Sequence, residues 1–375
     1  MSNMSFMERL LDGIEMGWPA LGDLCEKISS GKNKEKCEDG LYPVFGSTGI
    51  IGRTNNKGYE KVQILVARVG ANAGRVNIAQ GEYDVSDNTL IVQNKENIIL
   101  KYLYYYLVNI NLNLIAQGAG QLLITAGQLK SIQIPIPCPE DPKKSLEIQA
   151  EIVRILDTFT ELTTQLTTEL NARKKQYNYY REKLLTEVYD STKEFTIGEV
   201  LDMRAGKNIK AKDIAETETS EHKYTCYGGN GSRGFVSNYS HDGNYVLIGR
   251  QGALCGNVKR DKGKFYATEH AVVCSPKDGI NIDWVFYMLT FMNLNQYKSK
   301  SAQPGLAVGN IAKLPIKVPP FEEQNRIVAI LNKFEALTSS ITEGLPREIA
   351  LRQQQYEYYR NLLLSFPKPD AKVAA

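Results

Sequence analysis

Apolar residues recur at alternating intervals of three and four in two long stretches of the chain. This spacing is typical of helices that pack along a narrow apolar seam, as in a coiled coil. A proline-rich segment precedes each stretch and sets where its helix begins. At about 44 residues, each helix is expected to be roughly 65 Å long. The seam positions are Ile152, Ile155, Phe159, Leu162 and Leu166 in the first stretch, and Ile327, Ile330, Phe334, Leu337 and Ile341 in the second.

The two helical stretches are copies of one another. Residues 149–163 match residues 324–338 at eight of 15 positions, and residues 176–185 match residues 355–364 at seven of ten. A weaker copy, offset by 182 positions, runs through the remaining sequence and includes Arg-x-Gly-x-x-x-Gly, which begins at Arg68 and again at Arg250. The chain therefore contains a globular unit followed by a helix, each present twice.

Each globular unit is predicted to combine short strands with short helices. The runs at 62–67 and 245–249 are β-type and lie among glycine-rich turns, whereas 101–108 and 284–289 have the pattern of short amphipathic helices. We expect an internally duplicated α+β fold. The predicted boundaries are 1–140 for the first globular domain, 141–190 for the central helix, 191–320 for the second domain, 321–366 for the C-terminal helix and 367–375 for a tail.

Composition narrows the class of protein. The chain has 375 residues, of which 42% are hydrophobic and 23% charged, as expected for a folded protein with more than one core. It shows no signal-peptide pattern and no apolar run of the roughly 20 residues that cross a bilayer, so we expect a cytoplasmic protein. A net charge of +3 is too small to indicate nucleic-acid binding by itself.

Neither metal binding nor catalysis has a clear signature. The six cysteines form no CxxC pair, and we interpret them as free buried thiols. Ser30-Gly31-Lys32-Asn33 and its copy at 205–208 lack the glycine spacing and the Ser/Thr of a P-loop, which favours simple turns. Glu269-His270 resembles an acid/base pair, but its copy is Asp87-Asn88, which has no imidazole. We therefore predict no catalytic centre, no metal site and no cofactor in this chain.

The globular units do contain local positive charge beside amides and hydroxyls. Lysine and arginine contact phosphates, while arginine reads guanine and asparagine or glutamine reads adenine in the major groove. For any single residue, the alternative to a DNA contact is a place on a solvated loop surface. The candidate DNA contacts are Ser47, Thr48, Arg53, Asn55, Asn56, Lys57, Arg68, Asn72, Arg75 and Gln121 in the first unit, and Asn230, Ser232, Arg233, Arg250, Gln251, Asn257, Lys259, Arg260 and Gln303 in the second.

The chain resembles the specificity (S) subunits of type I restriction-modification systems. The resemblance rests on the sequence LPIKVPPFEEQNRIVAIL at 314–331, on WPALGDL at 18–24 and on SGKN at 30–33, and it covers essentially the whole chain. The first copy of the helix start departs from the pattern, because CPEDPKKSLEIQ at 138–149 is longer and keeps only Glu147 and Gln149. The beginning of that helix is therefore less clearly defined by sequence.

The resemblance implies two target-recognition domains, each reading one half of a bipartite, asymmetric DNA site. It also implies that the two helices form an antiparallel coiled-coil pair that sets the gap between the half-sites. Two methyltransferase (M) subunits and restriction (R) subunits are the implied partners, and S-adenosylmethionine, ATP and Mg²⁺ would bind to them. The competing interpretations are a single-chain DNA methyltransferase or nuclease, and a coiled-coil adaptor without a DNA role.

Two details of the helical stretches give further hypotheses. Phe159-Thr-Glu-Leu162, Thr163-Thr-Gln-Leu166 and 167–170 form a tandem four-residue repeat, whose copy number we expect to set the unread gap. Tyr179 and Tyr358 cannot share the seam face with their tyrosine neighbours, so they should point outward and pack on a recognition domain or a methyltransferase subunit.

Overall fold

The computed structural model describes residues 13–118, 120–187, 189, 192–300, 304–340 and 342–366. The predicted seam residue Ile341, the predicted DNA contact Gln303 and the predicted tail at 367–375 lie outside these described residues. The chain divides into two compact units. One contains the chain up to Leu166 together with the segment from Ile349 onward, and the other contains Thr167–Glu348.

The first unit is built from short strands and two short helices. Its elements are β1 (Met16–Gly17), β2 (Cys25–Ser30), β3 (Tyr42–Gly46), β4 (Gly49–Thr54), β5 (Gln63–Ala67), β6 (Val76–Ala79), β7 (Asp84–Val85), β8 (Thr89–Asn94), α1 (Leu100–Asn109), α2 (Ala126–Lys130) and β9 (Ile136–Pro137). A four-stranded antiparallel sheet has the order β2-β8-β5-β6, and a three-stranded sheet has the order β4-β3-β7. β1 pairs with β9.

The second unit has a similar order of elements, with one added short helix and one continuous strand in place of two. Its elements are β10 (Lys193–Thr196), α4 (Ile197–Val200), β11 (Leu201–Ala205), β12 (Tyr224–Gly228), β13 (Gly231–Val236), β14 (His241–Gly249), β15 (Val258–Ala267), β16 (Ala271–Pro276), α5 (Ile282–Phe291), α6 (Val308–Ala312) and β17 (Pro315–Val318). The long helix α3 (Pro142–Thr186) begins in the first unit and ends in the second. One six-stranded sheet has the order β11-β16-β14-β15-β12-β13, and β10 pairs with β17.

The two units differ in the strand that pairs with the β-hairpin, which is β3–β4 in the first unit and β12–β13 in the second. In the second unit β15 is ten residues long and pairs with both β14 and β12, which joins all the strands into one sheet. In the first unit the equivalent segment is divided into β6 and β7, so two sheets remain separate. The predicted β runs are confirmed as β5 and as part of β14, and the predicted short helices are confirmed as α1 and α5.

The two long helical stretches fold differently. The central one, α3, is a single helix of 45 residues, close to the predicted length. The prediction of one continuous C-terminal helix is wrong, because α7 (Phe321–Ser339) ends and a separate helix, α8 (Gly344–Leu364), begins after it. No helix within the described ranges is both long and apolar enough to span a membrane.

Local chemistry explains the break. Gly344 has φ +74°, and the carbonyl oxygen of Ala336 would lie 2.3 Å from a Cβ at this position, so only glycine fits. Ser340 Oγ accepts hydrogen bonds from two backbone amides just before α8, which competes with continued helix. Pro346 lies in the first turn of α8, where its missing N–H is tolerated.

The core of each unit joins a globular domain to segments of both helical stretches. In the first unit, Ile152 and Leu156 of α3 and Leu363 of α8 belong to the same buried cluster as Leu103 of α1. In the second unit, buried Leu184 and Leu185 near the end of α3 and Ile327 and Leu331 of α7 belong to one cluster with Trp284 of α5. The first predicted seam positions therefore lie in domain cores.

A buried glutamine attaches the start of each helical stretch to its globular domain. Gln149 Oε1 accepts a hydrogen bond of 2.9 Å from the amide of Ile99, just before α1. Gln324 Oε1 accepts one of 2.7 Å from the amide of Asn281, just before α5. Both side chains are almost fully buried. The glutamine of the helix-start sequence therefore has the same structural role in both copies.

The cysteines are free thiols in different environments. Cys25, Cys226, Cys255 and Cys274 are buried, and burial raises the pKa of Cys226 to about 11 and that of Cys274 to about 12. The interpretation of all six as buried is wrong for Cys37, which is exposed on a loop. Cys138 is half-buried.

Candidate nucleic-acid interface

The repeated Arg-x-Gly-x-x-x-Gly sequence forms the same tight turn in both units. In the first unit the amide of Gly70 donates to the carbonyl of Leu122 at 2.9 Å, and the amide of Gly74 donates to the carbonyl of Ala67 at 2.8 Å. The equivalent amides of the second unit make the same bonds at 2.9 and 2.7 Å. The turn therefore holds Arg68 and Arg250 at equivalent places in two equivalent scaffolds.

The last glycine of each turn is required by a close approach of two backbones. Gly74 and Gly256 have φ +90°, and a Cβ on them would lie 2.5 and 2.4 Å from the backbone nitrogens of Asn113 and Asn295. Those two asparagines donate side-chain hydrogen bonds back to carbonyls of the turn. Sequence reasoning missed them, although Asn-Leu-Asn occurs in both units at the offset of 182.

In each unit the turn bonds to one backbone carbonyl, and in the first unit a β-hairpin tip bonds to the same carbonyl. In the first unit the carbonyl oxygen of Asn88 accepts from Ser47 Oγ at 2.8 Å and from the amide of Arg68 at 2.9 Å. In the second unit the carbonyl of His270 accepts from the amide of Arg250 at 2.9 Å. We call this assembly the loop edge, formed by residues 46–49, 68–75 and 88 in the first unit and by 228–231, 250–257 and 270 in the second.

Six of the ten predicted contacts of the first unit lie at or next to its loop edge. Arg68 lies beside Asp87, with Nη1 3.4 Å from the Asp87 carbonyl oxygen. Asn72 and Arg75 line a cleft of about 600 Å³ together with Tyr104 of α1. The members that lie at or next to this edge are Ser47, Thr48, Arg68, Asn72, Arg75 and Gln121.

The loop edge of the second unit forms a cleft of about 390 Å³. Its lining is rich in glycine, which lets two backbone segments approach closely: a Cβ on Gly229 would lie 2.5 Å from the carbonyl oxygen of Gln251. Asn257 Nδ2 donates to Asn230 Oδ1 at 3.3 Å, and the Lys259 side chain lies against Gly231. The predicted contacts that line the cleft are Asn230, Ser232, Arg233 and Gln251, and His270 joins them.

Four other predicted contacts of the first unit lie at the far end of the β3–β4 hairpin. Arg53 donates from Nε to the carbonyl of Gly40 at 2.5 Å and from Nη2 to that of Leu41 at 2.7 Å. Lys57 pairs with Glu82 at 2.8 Å and with Glu60 at 3.0 Å, and these hydrogen bonds raise its pKa. Asn55 and Asn56 lie between these two residues and likewise away from the loop edge.

Arg260 has protein partners instead of a place on the loop edge. Its guanidinium donates to Glu335 at 2.5 Å and to Asp283 at 3.1 Å, and it lies 4.5 Å from the ring centroid of Phe286. Burial and a hydrogen bond to Glu335 raise the pKa of Tyr287 beside it. Arg260 therefore attaches β15 to α5 through Asp283 and to α7 through Glu335. These two carboxylates also neutralise its charge within the unit.

The Gly-Lys-Asn sequences directly follow strands β2 and β11 and pass close to the backbone of a neighbouring strand. The interpretation of simple turns is wrong, because no turn forms at these residues. A Cβ on Gly31 would lie 2.2 Å from the carbonyl oxygen of Val85, and one on Gly206 would lie 2.2 Å from that of Ala267. Lys32 and Lys207 donate backbone amides to the same two carbonyls. The glycines are needed because a neighbouring strand passes against them, which is a structural reason for this sequence in both copies.

Further along the helical stretches, equivalent aromatic pairs join the helices within each unit. Phe159 stacks on Tyr359 with centroids 5.3 Å apart, and Phe334 stacks on Tyr180 at 5.7 Å. The neighbouring Tyr179 and Tyr358 are 60% and 62% exposed. The predicted outward direction of these two side chains is confirmed, whereas their packing on another domain or subunit stays a prediction.

Comparison with known proteins agrees with this duplicated arrangement. The profile of the family described as "Type I restriction modification DNA specificity domain" matches residues 17–175 and 189–351. The chain is 43% identical over 376 aligned residues to the Escherichia coli type I restriction enzyme EcoprrI specificity subunit, covering 92% of this chain and 93% of that protein. It is 35% identical over 409 aligned residues to the Escherichia coli EcoR124I/EcoR124II specificity subunit, covering 99% of both.

A solved structure has the same fold. The type I restriction-modification S subunit from M. genitalium aligns with a TM-score of 0.67 at 20% identity, covering 97% of this chain and 100% of that chain. The chain belongs to the type I restriction-modification DNA specificity family. The predicted resemblance and the prediction of a non-catalytic specificity subunit are confirmed by this membership.

Proposed function

We propose that this chain reads a bipartite, asymmetric DNA target, with one half-site bound by the loop edge of each unit. The observation that carries the proposal is the loop edge itself, because one backbone scaffold occurs twice with different side chains. Val69, Asn88 and Arg75 of the first unit correspond to Gln251, His270 and Asn257 of the second. Two like scaffolds with unlike donors and acceptors are suited to two different short sequences.

The proposed recognition domains are residues 1–140 and 191–320, and the proposed DNA surface is narrower than the sequence prediction. Arg53, Lys57 and Arg260 are left out because carbonyls or carboxylates of their own unit occupy their charged groups. The proposed contacts are Ser47, Thr48, Arg68, Asn72, Arg75 and Gln121, and Asn230, Ser232, Arg233, Arg250, Gln251, Asn257, Lys259 and Gln303.

The long helices are proposed to form an antiparallel coiled-coil pair that sets the gap between the half-sites. The stacked pairs Phe159–Tyr359 and Phe334–Tyr180 support helix pairing within each unit. The tandem repeat at 159–170 lies inside the uninterrupted helix α3. One four-residue unit adds about 6 Å of helix, and duplex DNA rises about 3.4 Å per base pair, so its copy number should change the gap by one or two base pairs.

The proposed partners are two methyltransferase (M) subunits and restriction (R) subunits, with the assembly acting on double-stranded DNA in the cytoplasm. Internal duplication presents equivalent surfaces twice, which suits two copies of one partner. The exposed Tyr179 and Tyr358 occupy equivalent places on α3 and α8 and are the proposed contacts with these copies. S-adenosylmethionine, ATP and Mg²⁺ are proposed to bind to the partner subunits.

Selection from a pool of random DNA duplexes tests the proposal. The chain, purified with its methyltransferase subunit, should enrich two short conserved blocks separated by a constant unread gap. One continuous block would contradict two reading units, and loss of all selectivity would favour the coiled-coil adaptor.

A separate labelling experiment tests the rival enzyme. The purified chain alone, irradiated with radiolabelled S-adenosylmethionine, should remain unlabelled while the methyltransferase subunit is labelled. Specific labelling of this chain would favour the single-chain methyltransferase.

A further inference from the structure

Residues at and beside the second loop edge have polar atoms without partners. Arg250 Nε, Glu269 Oε2 and His270 Nδ1 are buried, and none of them has a hydrogen-bond partner among the residues that the structure describes. A buried polar atom without a partner destabilises a folded protein, and Arg250 lies next to His270 because its amide donates to the His270 carbonyl. These three atoms therefore indicate an occupant with hydrogen-bonding groups. His270 itself lines the cleft beside Gln251 and Arg233.

The pair Glu269–His270 is held in a defined arrangement. The two side chains are about one-third exposed, and His270 Nε2 lies 3.4 Å from Glu269 Oε1. The backbone of His270 is fixed on both sides, because its carbonyl accepts from Arg250 and its amide donates to Thr268 Oγ1 at 3.3 Å. The imidazole therefore projects from a rigid segment into a site with room for a polar ligand.

This pair is one of the places where the two units differ in side-chain chemistry while their backbones make the same contacts. The first unit has Asp87 and the exposed Asn88 at the same positions, and the carbonyl of Asn88 accepts from Arg68 as that of His270 accepts from Arg250. A residue needed for a task common to both units would be expected in both copies. A residue that chooses between bases is expected to differ, because the two half-sites differ.

We propose that His270, oriented by Glu269, is a specificity-determining residue for the half-site read by the second unit. This inference rests on the proposed DNA-reading function. Imidazole offers a hydrogen-bond donor or acceptor to a base edge, and it lies beside an amide and a guanidinium that are suited to adenine and guanine. His270 and Gln251 together read adjacent base edges, and Glu269 is a positioning residue for the ring.

The test compares His270→Asn with the reciprocal Asn88→His, each in the full chain bound to its methyltransferase subunit. Genome-wide mapping of methylated bases first gives the wild-type motif, and affinities are then measured on duplexes that carry it. His270→Asn should change or relax one position in one half of the motif and lower the affinity for the wild-type duplex about tenfold or more. Asn88→His should act only on the opposite half.

The unaltered half of the motif serves as an internal control that each variant is folded. Glu269→Gln, which keeps an oxygen acceptor, should retain the motif, whereas Glu269→Ala should relax the same position as His270→Asn. A His270→Asn variant with the wild-type motif and an affinity within about twofold of wild type would overturn the inference. Failure of the wild-type complex to show a two-part motif would instead overturn the proposed function, so the two failures are distinguishable.

Discussion

Gln149 and Gln324 show how one side chain fixes the relation between a helix and a domain. Each glutamine is buried and satisfies the backbone amide of the residue that precedes a short helix of its domain. Gln324 also donates from Nε2 to the carbonyl of Pro319 at 2.9 Å. These bonds fix where the helical stretch begins relative to the loop edge, and a shift there would displace the reading surface.

We expect Gln324→Ala to lower the free energy of unfolding by about 1–3 kcal/mol, because it leaves the half-buried amide of Asn281 without its partner. Urea denaturation followed by circular dichroism measures the change. Gln353→Ala is the matched control, because Gln353 is exposed on α8 and its loss should cost less than about 0.5 kcal/mol. Equal stability of the two variants would contradict this role for Gln324.

Lys259 should contribute to DNA binding through phosphate contact alone. Its exposed side chain lies against Gly231 of the β12–β13 hairpin. Lys259→Ala should therefore reduce the slope of log affinity against log salt by about 0.9 without changing the motif. Titration of labelled duplex at several salt concentrations gives the slope. Lys57→Ala is the control, because the Lys57 ammonium is paired with Glu82 and Glu60, and its slope should equal that of wild type.

Residue roles were predictable where the two copies could be compared and unpredictable where partners are distant in sequence. The repeated arginine and glycines of the turn indicated a shared scaffold, and the structure shows one. Arg260 was assigned to DNA because its neighbours in sequence are basic, yet its acceptors Asp283 and Glu335 come from other elements. Local charge density does not reveal such partners.

At the scale of elements, the long helices are the parts that sequence periodicity predicts best. The spacing of apolar residues by three and four predicted α3 correctly, because this stretch is a long run of helix-forming residues without an interruption. The same period continued through the C-terminal stretch and hid the break between α7 and α8. Gly344 and Pro346 indicate that break, because glycine permits the positive φ and proline favours a new first turn.

Deleting Thr163–Leu166 tests the proposed role of α3 as a spacer. Removing four residues shortens the helix by about 6 Å and rotates the two ends by only about 40°, so the apolar face stays nearly aligned. The mapped motif should keep both halves, with a gap shorter by one or two base pairs. Deleting only 163–164 is the control, since a rotation of about 200° should disrupt the pairing of helices and abolish recognition. An unchanged gap in the four-residue deletion would contradict the spacer hypothesis.

At the scale of the whole molecule, each compact unit combines one globular domain with segments from both helical stretches. The first unit takes Leu363 and Leu364 from the far end of the chain, and the second takes Leu184 and Leu185 from the end of α3. The sequence showed the duplication but not this exchange, because burial of a helix end depends on contacts made far along the chain. Domains defined by sequence order therefore differ from the packed units.

The exposed tyrosines should matter for assembly and not for the stability of the chain. Tyr179→Ala and Tyr358→Ala should each change the free energy of unfolding by less than about 0.5 kcal/mol, because both side chains are mostly exposed. The double variant should bind fewer methyltransferase subunits, as measured by light scattering coupled to size-exclusion chromatography. Gln353→Ala, also exposed on α8, should assemble like wild type, and full assembly of the double variant would exclude these tyrosines as contacts.

The most direct test of the central claim is a map of methylated bases in a host genome that co-expresses this chain with its methyltransferase subunit. Two loop edges with one backbone and different side chains predict a motif of two dissimilar short blocks around a fixed unread gap. A single continuous motif, or two identical halves, would contradict the account of two units that read different bases.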